Sequence, residues 1–218
     1  MSDTINNVES APSIKIDFYS EITCPWCFLG QYRLDKVLAE KFPGLAVDIE
    51  HHPVILMPDC PPEGLNVLDL LRSKGVPDPE TMLALPQEEA RASGLDFDRS
   101  LQPFAYPTQG AHTLLRHARA RGSQHALAWA LRLAYFKEAL NISDPDVLSG
   151  IAAGHGFGRD EAMALAGNPA ERAATEADAM RSRSAGVTTV PAFVFGKGAL
   201  VGGQSETEME RRIREALQ

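Results

Sequence analysis

The sequence predicts an α/β fold: a four-stranded mixed sheet assembled from the two ends of the chain, with a large helical insertion after the second strand. Three observations predict it. Period-two alternation in Ile14-Lys15-Ile16-Asp17-Phe18-Tyr19 and again in Leu45-Ala46-Val47-Asp48-Ile49-Glu50-His51 marks two half-buried strands. From about Asn66 to Ala185 no strand pattern is visible, only helical pieces with stops and starts. Strand character then returns in Ala192-Phe193-Val194-Phe195 and Ala199-Leu200-Val201, on either side of Gly196-Lys197-Gly198.

The chain has 218 residues, enough for one large domain or for a domain carrying an inserted second one. With 44% hydrophobic residues it can build a proper core. The net charge is -8, from 21 basic and 29 acidic residues, and no basic run stands out. Nucleic acid is therefore not an expected partner. No uncharged apolar run reaches membrane-spanning length, so no membrane partner is expected either. Residues 1–13 lack the charged and apolar regions of a secretory signal. They are expected to form a disordered N-terminus, and the protein is expected in the cytoplasm. Three cysteines do not make an extracellular disulfide framework.

After the first strand comes Cys24-Pro25-Trp26-Cys27, followed at helical spacing by Phe28, Leu29, Tyr32, Leu34, Val37 and Leu38. Pro25 suits a first helical position, where a missing N–H costs nothing. Cys24 then stands at the helix start, facing free N–H groups and the positive end of the helix dipole. Cysteines so placed titrate at roughly 3.5–7.5 rather than about 8.5. Cys27 lies one turn on and can attack a mixed disulfide formed at Cys24. Cys24 is the candidate nucleophile and Cys27 the candidate resolving thiol. Three other readings compete: half of a zinc site completed by Cys60 and His51 or His52, two buried structural cysteines, or a structural disulfide.

Pro43-Gly44 closes the first helix, and strand–helix–strand implies a right-handed crossover with parallel strands. Pro53, Pro58, Pro61 and Pro62 mark a stiff linker holding Cys60, a lone free thiol. The insertion then reads as a short helix at Val67–Leu71, stopped by Gly75 and Pro77, and a second over roughly 80–93. A third is capped by Thr108 and carries Ala111, Leu114, Leu115 and Ala118 on one face. Residues 124–140 hold apolar side chains on two adjacent arcs, as a central buried helix does. Asp144-Pro145 and Asn168-Pro169 place capping residues before first-turn prolines, and Gly186 ends the last insertion helix. Ser205-Glu206-Thr207-Glu208 is a capping-box pattern opening a final helix with Met209, Ile213, Ala216 and Leu217 on one face. The order β-α-β, insertion, β-β-α is that of a thioredoxin fold. Residues 14–60 and 187–218 make the thioredoxin-like domain and 61–186 the inserted helical domain.

These pieces resemble a known family. CPWC after a strand, the long insertion, and Val187-Thr188-Thr189-Val190-Pro191-Ala192-Phe193 before the hairpin resemble DsbA-like thiol–disulfide oxidoreductases. More narrowly, the chain looks like the FrnE-like branch, through Cys24-Pro25-Trp26-Cys27-Phe28-Leu29-Gly30, Ala111-His112, Asp144-Pro145-Asp146-Val147-Leu148 and Val201-Gly202-Gly203-Gln204. The resemblance spans about residues 14–217. It implies a redox-active Cys24–Cys27 disulfide, no other cofactor and no metal, and a cis bond before Pro191 beside that disulfide. It also implies that Val190 offers backbone groups to a bound substrate segment. Pro25, Trp26, Val190 and Pro191 are the expected substrate-facing residues, with His112 a further candidate. For His112 a solvent-facing or core-satisfied role competes. Relatives often carry Pro-Asn-Thr ahead of Ala-His, whereas here Pro107 stands at the asparagine position.

The function that the resemblance implies is cytoplasmic disulfide exchange with protein substrates or small thiols, glutathione being a candidate co-substrate, in an oxidising, reducing or isomerising direction. An alternative within the fold is a glutathione-dependent enzyme like kappa-class transferases or 2-hydroxychromene-2-carboxylate isomerases, which use a serine where Cys24 stands. A further alternative is a zinc-stabilised or chaperone-like binding module.

Overall fold

The computed structural model describes residues 13–203 and 205–218. The expected disordered N-terminus lies outside that range except for Ser13, which already belongs to the first strand. Gln204 also lies outside it. The element order is β1 (Ser13–Ser20), α1 (Pro25–Lys41), β2 (Ala46–Pro53), β3 (Leu65–Asn66), α2 (Val67–Ser73), α3 (Pro79–Ser93), a 3₁₀ turn (Arg99–Leu101) and β4 (Phe104–Ala105). It continues with α4 (Gln109–Ala120), α5 (Gln124–Phe136), α6 (Pro145–Ala153), α7 (Arg159–Gly167), α8 (Pro169–Ser184), β5 (Ala192–Phe195), β6 (Val201–Gly202) and α9 (Glu206–Ala216).

The main sheet has the order β2-β1-β5-β6. β1 runs parallel to β2, with Ile16 opposite Ile49, and antiparallel to β5, with Phe18 opposite Phe193. This is the mixed four-stranded sheet that the alternation predicts. Ile14, Ile16 and Phe18 are buried, one residue in two, as the pleat requires. Val190–Pro191, entering β5, is a cis peptide bond.

α1 is the joint of the molecule. One part of its surface packs Cys27, Leu34 and Val37 into a core with Phe18, Phe193, Met209 and Ile213. Phe28 and Leu29 enter a second core made with Leu114, Leu127, Leu131 and Phe136 of the insertion helices. Phe28 stacks on Phe136 at 5.1 Å between ring centres and meets Trp129 at 4.9 Å. A helix buried on several sides holds its first turn firmly, and the two cysteines lie there.

Several boundaries differ from the sequence reading. α5 ends at Phe136 rather than near residue 140, and Ala139 takes left-handed backbone (φ 56°) that closes the turn. The hairpin's second strand is 201–202, because Phe193 pairs with Val201 and Ala192 with Gly202, leaving Ala199 and Leu200 in the loop. The insertion does contain strand, a two-residue ladder pairing Leu65 with Ala105 and Asn66 with Phe104, too short to show alternation. Asn66, Asp78, Asp144, Asn168 and Ser205 all cap helices through their side chains. Thr108 stands at the N-cap of α4 but caps nothing with its hydroxyl. Among the described residues no helix is long and apolar enough to cross a membrane.

Candidate active site

Cys24 is the N-cap of α1, in extended backbone (φ −84°, ψ 118°), and Pro25 takes the first helical turn. The Cys24 carbonyl accepts the N–H groups of Cys27 at 3.0 Å and Phe28 at 3.1 Å. Both cysteines are free thiols; Cys27 is fully buried and Cys24 is 8% exposed.

The two thiols are electrostatically unequal. A hydrogen bond from the Cys27 thiol pulls the Cys24 thiol below its ordinary range; the N–H groups of Cys27 and Trp26 add to this, against burial and the charge of Glu21. Burial pushes Cys27 well above the ordinary range, and the hydrogen bond and charge of the Cys24 thiolate push the same way. The proton thus sits on Cys27 and steadies a thiolate on Cys24. Helix position and electrostatics favour the same nucleophile, although the main stabiliser is the second thiol.

At Trp26, between the two cysteines in sequence, an open cleft of about 270 Å³ begins, lined by Trp26, Leu29, Gly30 and Arg33 of α1 and by Thr189, Val190, Pro191, Gly203 and Ser205, with neither cysteine in its wall. Trp26 is 38% exposed there. Pro191 packs directly on α1: a Cβ built on Gly30 would lie 3.1 Å from its Cγ. Val190 is half-buried against the core that contains both cysteines. Trp26, Val190 and Pro191 therefore come together at the CPWC turn.

His112 does not share that cleft. It is 3% exposed, and its Nε2 stands 3.2 Å from Oε1 of Glu21. Glu21 is itself 1% exposed and accepts the N–H of Ile22 at 2.6 Å, the N–H of Leu56 at 3.1 Å and the hydroxyl of Thr108 at 3.1 Å. Thr108 thus serves this carboxylate instead of the helix end. A carboxylate three residues before Cys24, at the inner end of β1, is visible in the sequence but has no partner there. Its partners come from positions 56, 108 and 112.

A second buried polar group lies on the α5 side. Arg132, fully buried, donates to Gln31 Oε1 at 2.5 Å and to Ser20 Oγ at 2.8 Å. Beyond it His51 Nε2 meets His125 Nδ1 at 2.8 Å, and His125 Nε2 meets Asp35 Oδ1 at 2.7 Å. Gln124 brackets the His51 backbone, accepting its N–H at 2.9 Å and donating to its carbonyl at 3.0 Å. Burial above all, with His125 and the Arg132 guanidinium close by, holds His51 well below its ordinary value, hence neutral.

Cys60 stands apart. Its thiol donates to the Ala105 carbonyl at 3.4 Å, and burial raises it above the ordinary thiol range. Among the described residues, the three-residue group spaced to share a metal is Asp17, Glu50 and His52, which contains no cysteine. Lys15 already occupies it, 2.9 Å from Asp17 and 2.8 Å from Glu50. The structure does not gather Cys60 and His51 or His52 around the CPWC pair.

The family model for the DSBA-like thioredoxin domain matches residues 15–214. A solved structure described as a probable DsbA oxidoreductase, SCO1869 from Streptomyces coelicolor, superposes with a TM-score of 0.81 at 28% identity, covering 93% of this chain and 89% of that one. A 2-hydroxychromene-2-carboxylate isomerase gives 0.70 at 14% identity, with 93% and 95% covered. The cytosolic disulfide reductase DsbM from Pseudomonas aeruginosa gives 0.66 at 18% identity, with 93% and 98% covered. At these last two identities the likeness is one of fold.

Proposed function

The chain belongs to the DSBA-like thioredoxin domain family, and from that premise we propose that it is a thiol–disulfide oxidoreductase working through Cys24 and Cys27. The observation that carries the proposal is the inequality of two adjacent thiols, Cys24 depressed by the Cys27 hydrogen bond and Cys27 raised by burial. A pair serving only structure needs no such difference.

The Cys24 thiolate attacks a substrate disulfide RS–SR′, forming Cys24–S–SR and releasing R′S⁻, which takes up a proton. The Cys27 sulfur then attacks Cys24, closing the Cys24–Cys27 disulfide. The proton that Cys27 loses ends on the departing thiol RSH. The substrate gains two electrons and the protein is oxidised. Two molecules of glutathione, oxidised to their disulfide, would restore the dithiol. A depressed Cys24 stabilises the dithiol over the disulfide, which makes the pair easy to reduce by a thiol pool. Reduction or isomerisation of protein disulfides in the cytoplasm suits such a couple. DsbM, a cytosolic disulfide reductase also solved with GSH, shares the fold, and the proposal extends glutathione to this chain as co-substrate.

Within this reading the cleft receives an extended substrate segment, Trp26 and Pro191 flanking it and the Val190 backbone pairing with it. The inserted helices, making up over half of the chain, set which proteins are accepted. The FrnE-like placement rests on the sequence pieces quoted above. A glutathione-dependent isomerisation on this fold would leave Cys27 without a task.

The test is insulin reduction with glutathione as reductant, alongside 2-hydroxychromene-2-carboxylate isomerisation. The expected result is accelerated insulin reduction that Cys24→Ser abolishes, and no chromene turnover. Chromene turnover that survives Cys27→Ala, without insulin reduction, would replace the proposal with the isomerase reading.

A further inference from the structure

Arg132 is the largest fully buried side chain in the protein's described part. A guanidinium cannot shed its proton and so must find compensating charge when it leaves water. The hydrogen-bond partners that Arg132 finds are neutral: an amide oxygen of Gln31 and the hydroxyl of Ser20. Its Nε, also buried, has no acceptor among the described residues.

The two partners fix where the group lies. Gln31 follows Cys27 by four residues on α1, so both side chains share one helix face. Ser20 ends β1, four residues before Cys24. The Arg132 guanidinium also lies 5.5 Å from the ring of Phe18, which packs in the same core as both cysteines. The cation is bracketed between the strand that delivers the motif and the helix turn that follows it.

We propose that Arg132 is a positioning residue whose counter-ion is the thiolate that forms on Cys27 when a mixed disulfide on Cys24 is resolved. The inference rests on the oxidoreductase reading and deepens it. While the substrate is joined to Cys24, that sulfur carries no charge, and the buried Cys27 must ionise by itself. A fixed positive charge, held by Gln31 one helix turn on from Cys27, offsets part of the burial cost. Arg132 does act downward on Cys27, and among the groups that support its own charge Cys27 comes first, ahead of Cys24, Glu21 and Asp35.

The other titratable groups facing it leave this role open. Glu21 is engaged by three donors and His112. Asp35 on α1 pairs with His125 of the Arg132 helix, and His51 on β2 is neutral. The reaction balances without a further reagent: the new bond joins Sγ of Cys27 to Sγ of Cys24, the Cys24–substrate S–S bond breaks, and the Cys27 proton ends on the released thiol.

The experiment uses the aromatic disulfide 5,5′-dithiobis(2-nitrobenzoate), whose chromogenic thiol is released once on attack by Cys24 and again on resolution by Cys27. Cys27→Ala identifies the second phase by abolishing it. In Arg132→Gln the second phase should slow by roughly three- to tenfold at pH 7 and its pH profile should move upward, with the first phase less affected. Arg132→Lys, which keeps the charge, should recover most of the rate and return the profile toward wild type. Profiles that coincide in wild type, Gln and Lys variants would overturn the proposal and leave the oxidoreductase reading intact. If the Gln variant does not fold, Arg132→Met replaces it as the uncharged variant, and a second-phase profile that coincides in wild type, Met and Lys variants likewise overturns the proposal. A wild-type chain that shows no second phase overturns both readings.

Discussion

Gly30 and Pro191 are in such close contact that a single added carbon would crowd the proline, which would have to give by a few tenths of an ångström. A Cβ on Gly30 would stand 3.1 Å from Cγ of Pro191 and 3.4 Å from Cζ of Phe193. The missing side chain lets the loop before β5 lie against the CPWC helix, closing one side of the cleft. Gly30→Ala gains about 0.5–1 kcal/mol of helix propensity and loses about 1–3 kcal/mol to overpacking. The expected outcome in urea unfolding is a net loss of about 1 kcal/mol, with insulin reduction falling more than reaction with a small aromatic disulfide. A more stable Ala variant with unchanged kinetics would show that the loop can shift freely.

Cys24 should be alkylated by iodoacetamide with a pH midpoint below that of an ordinary thiol, about 8.5. Cys27→Ala removes the hydrogen bond that contributes most to the depression, so the midpoint should rise. The sign for stability follows: ionised Cys24 favours the folded dithiol state fully above the thiol value of the unfolded chain, and that contribution is lost as pH falls through the folded value. Stopped-flow alkylation between pH 4 and 10 measures the midpoint; no change in Cys27→Ala would locate the stabilisation elsewhere.

Glu21 acts in the opposite sense, since its charge raises Cys24. Glu21→Gln should therefore lower the Cys24 midpoint further. The same change turns one acceptor into a donor facing donors, at a cost of about 1–3 kcal/mol in stability. Alkylation and urea unfolding on one preparation test both signs. An upward midpoint shift would mean that Glu21 works through the shape of the loop rather than through its charge.

Cys27→Ala should leave Cys24 able to attack but not to release. Mixed disulfides with proteins or glutathione should then accumulate and be visible by mass spectrometry of the intact protein. Cys24→Ala should trap none; equal trapping by the two variants would interchange their roles.

Cys60 is expected to be a bystander, its thiol tied to the Ala105 carbonyl and raised by burial. Cys60→Ala should leave insulin reduction within about twofold of wild type and cost roughly 1 kcal/mol of stability. A large loss of turnover with stability intact would bring this thiol into the exchange cycle.

The strand over Ile14–Tyr19, the helix start at Pro25 and the caps at Asp144, Asn168 and Ser205 were legible because their signal is local. Alternation, a proline at a helix start and Asn or Asp before a helix each act over a few residues, and each appears at the expected place. The site beneath the thiols was not legible for the converse reason. Glu21, Thr108 and His112 meet across 87 and 91 positions, and Arg132 reaches Ser20 across 112. Thr108 looked like a cap because a threonine before a helix usually is one; here the buried carboxylate competes for its hydroxyl. Arg132 carries no local signal at all within its apolar surroundings. Only the packing of α5 against α1 turns it inward. Gly30 was visible as part of a motif, but its purpose depends on a loop about 160 residues away, between 30 and 191.

The most direct test is a redox titration of the Cys24–Cys27 couple in mixtures of reduced and oxidised glutathione, quenched in acid and read by mass spectrometry. The expected result is a two-electron transition to an intramolecular disulfide within the range of such buffers, absent in both Cys24→Ser and Cys27→Ser. A chain that stays fully reduced at every ratio, or that only ever carries glutathione on one cysteine, would contradict a dithiol exchange mechanism.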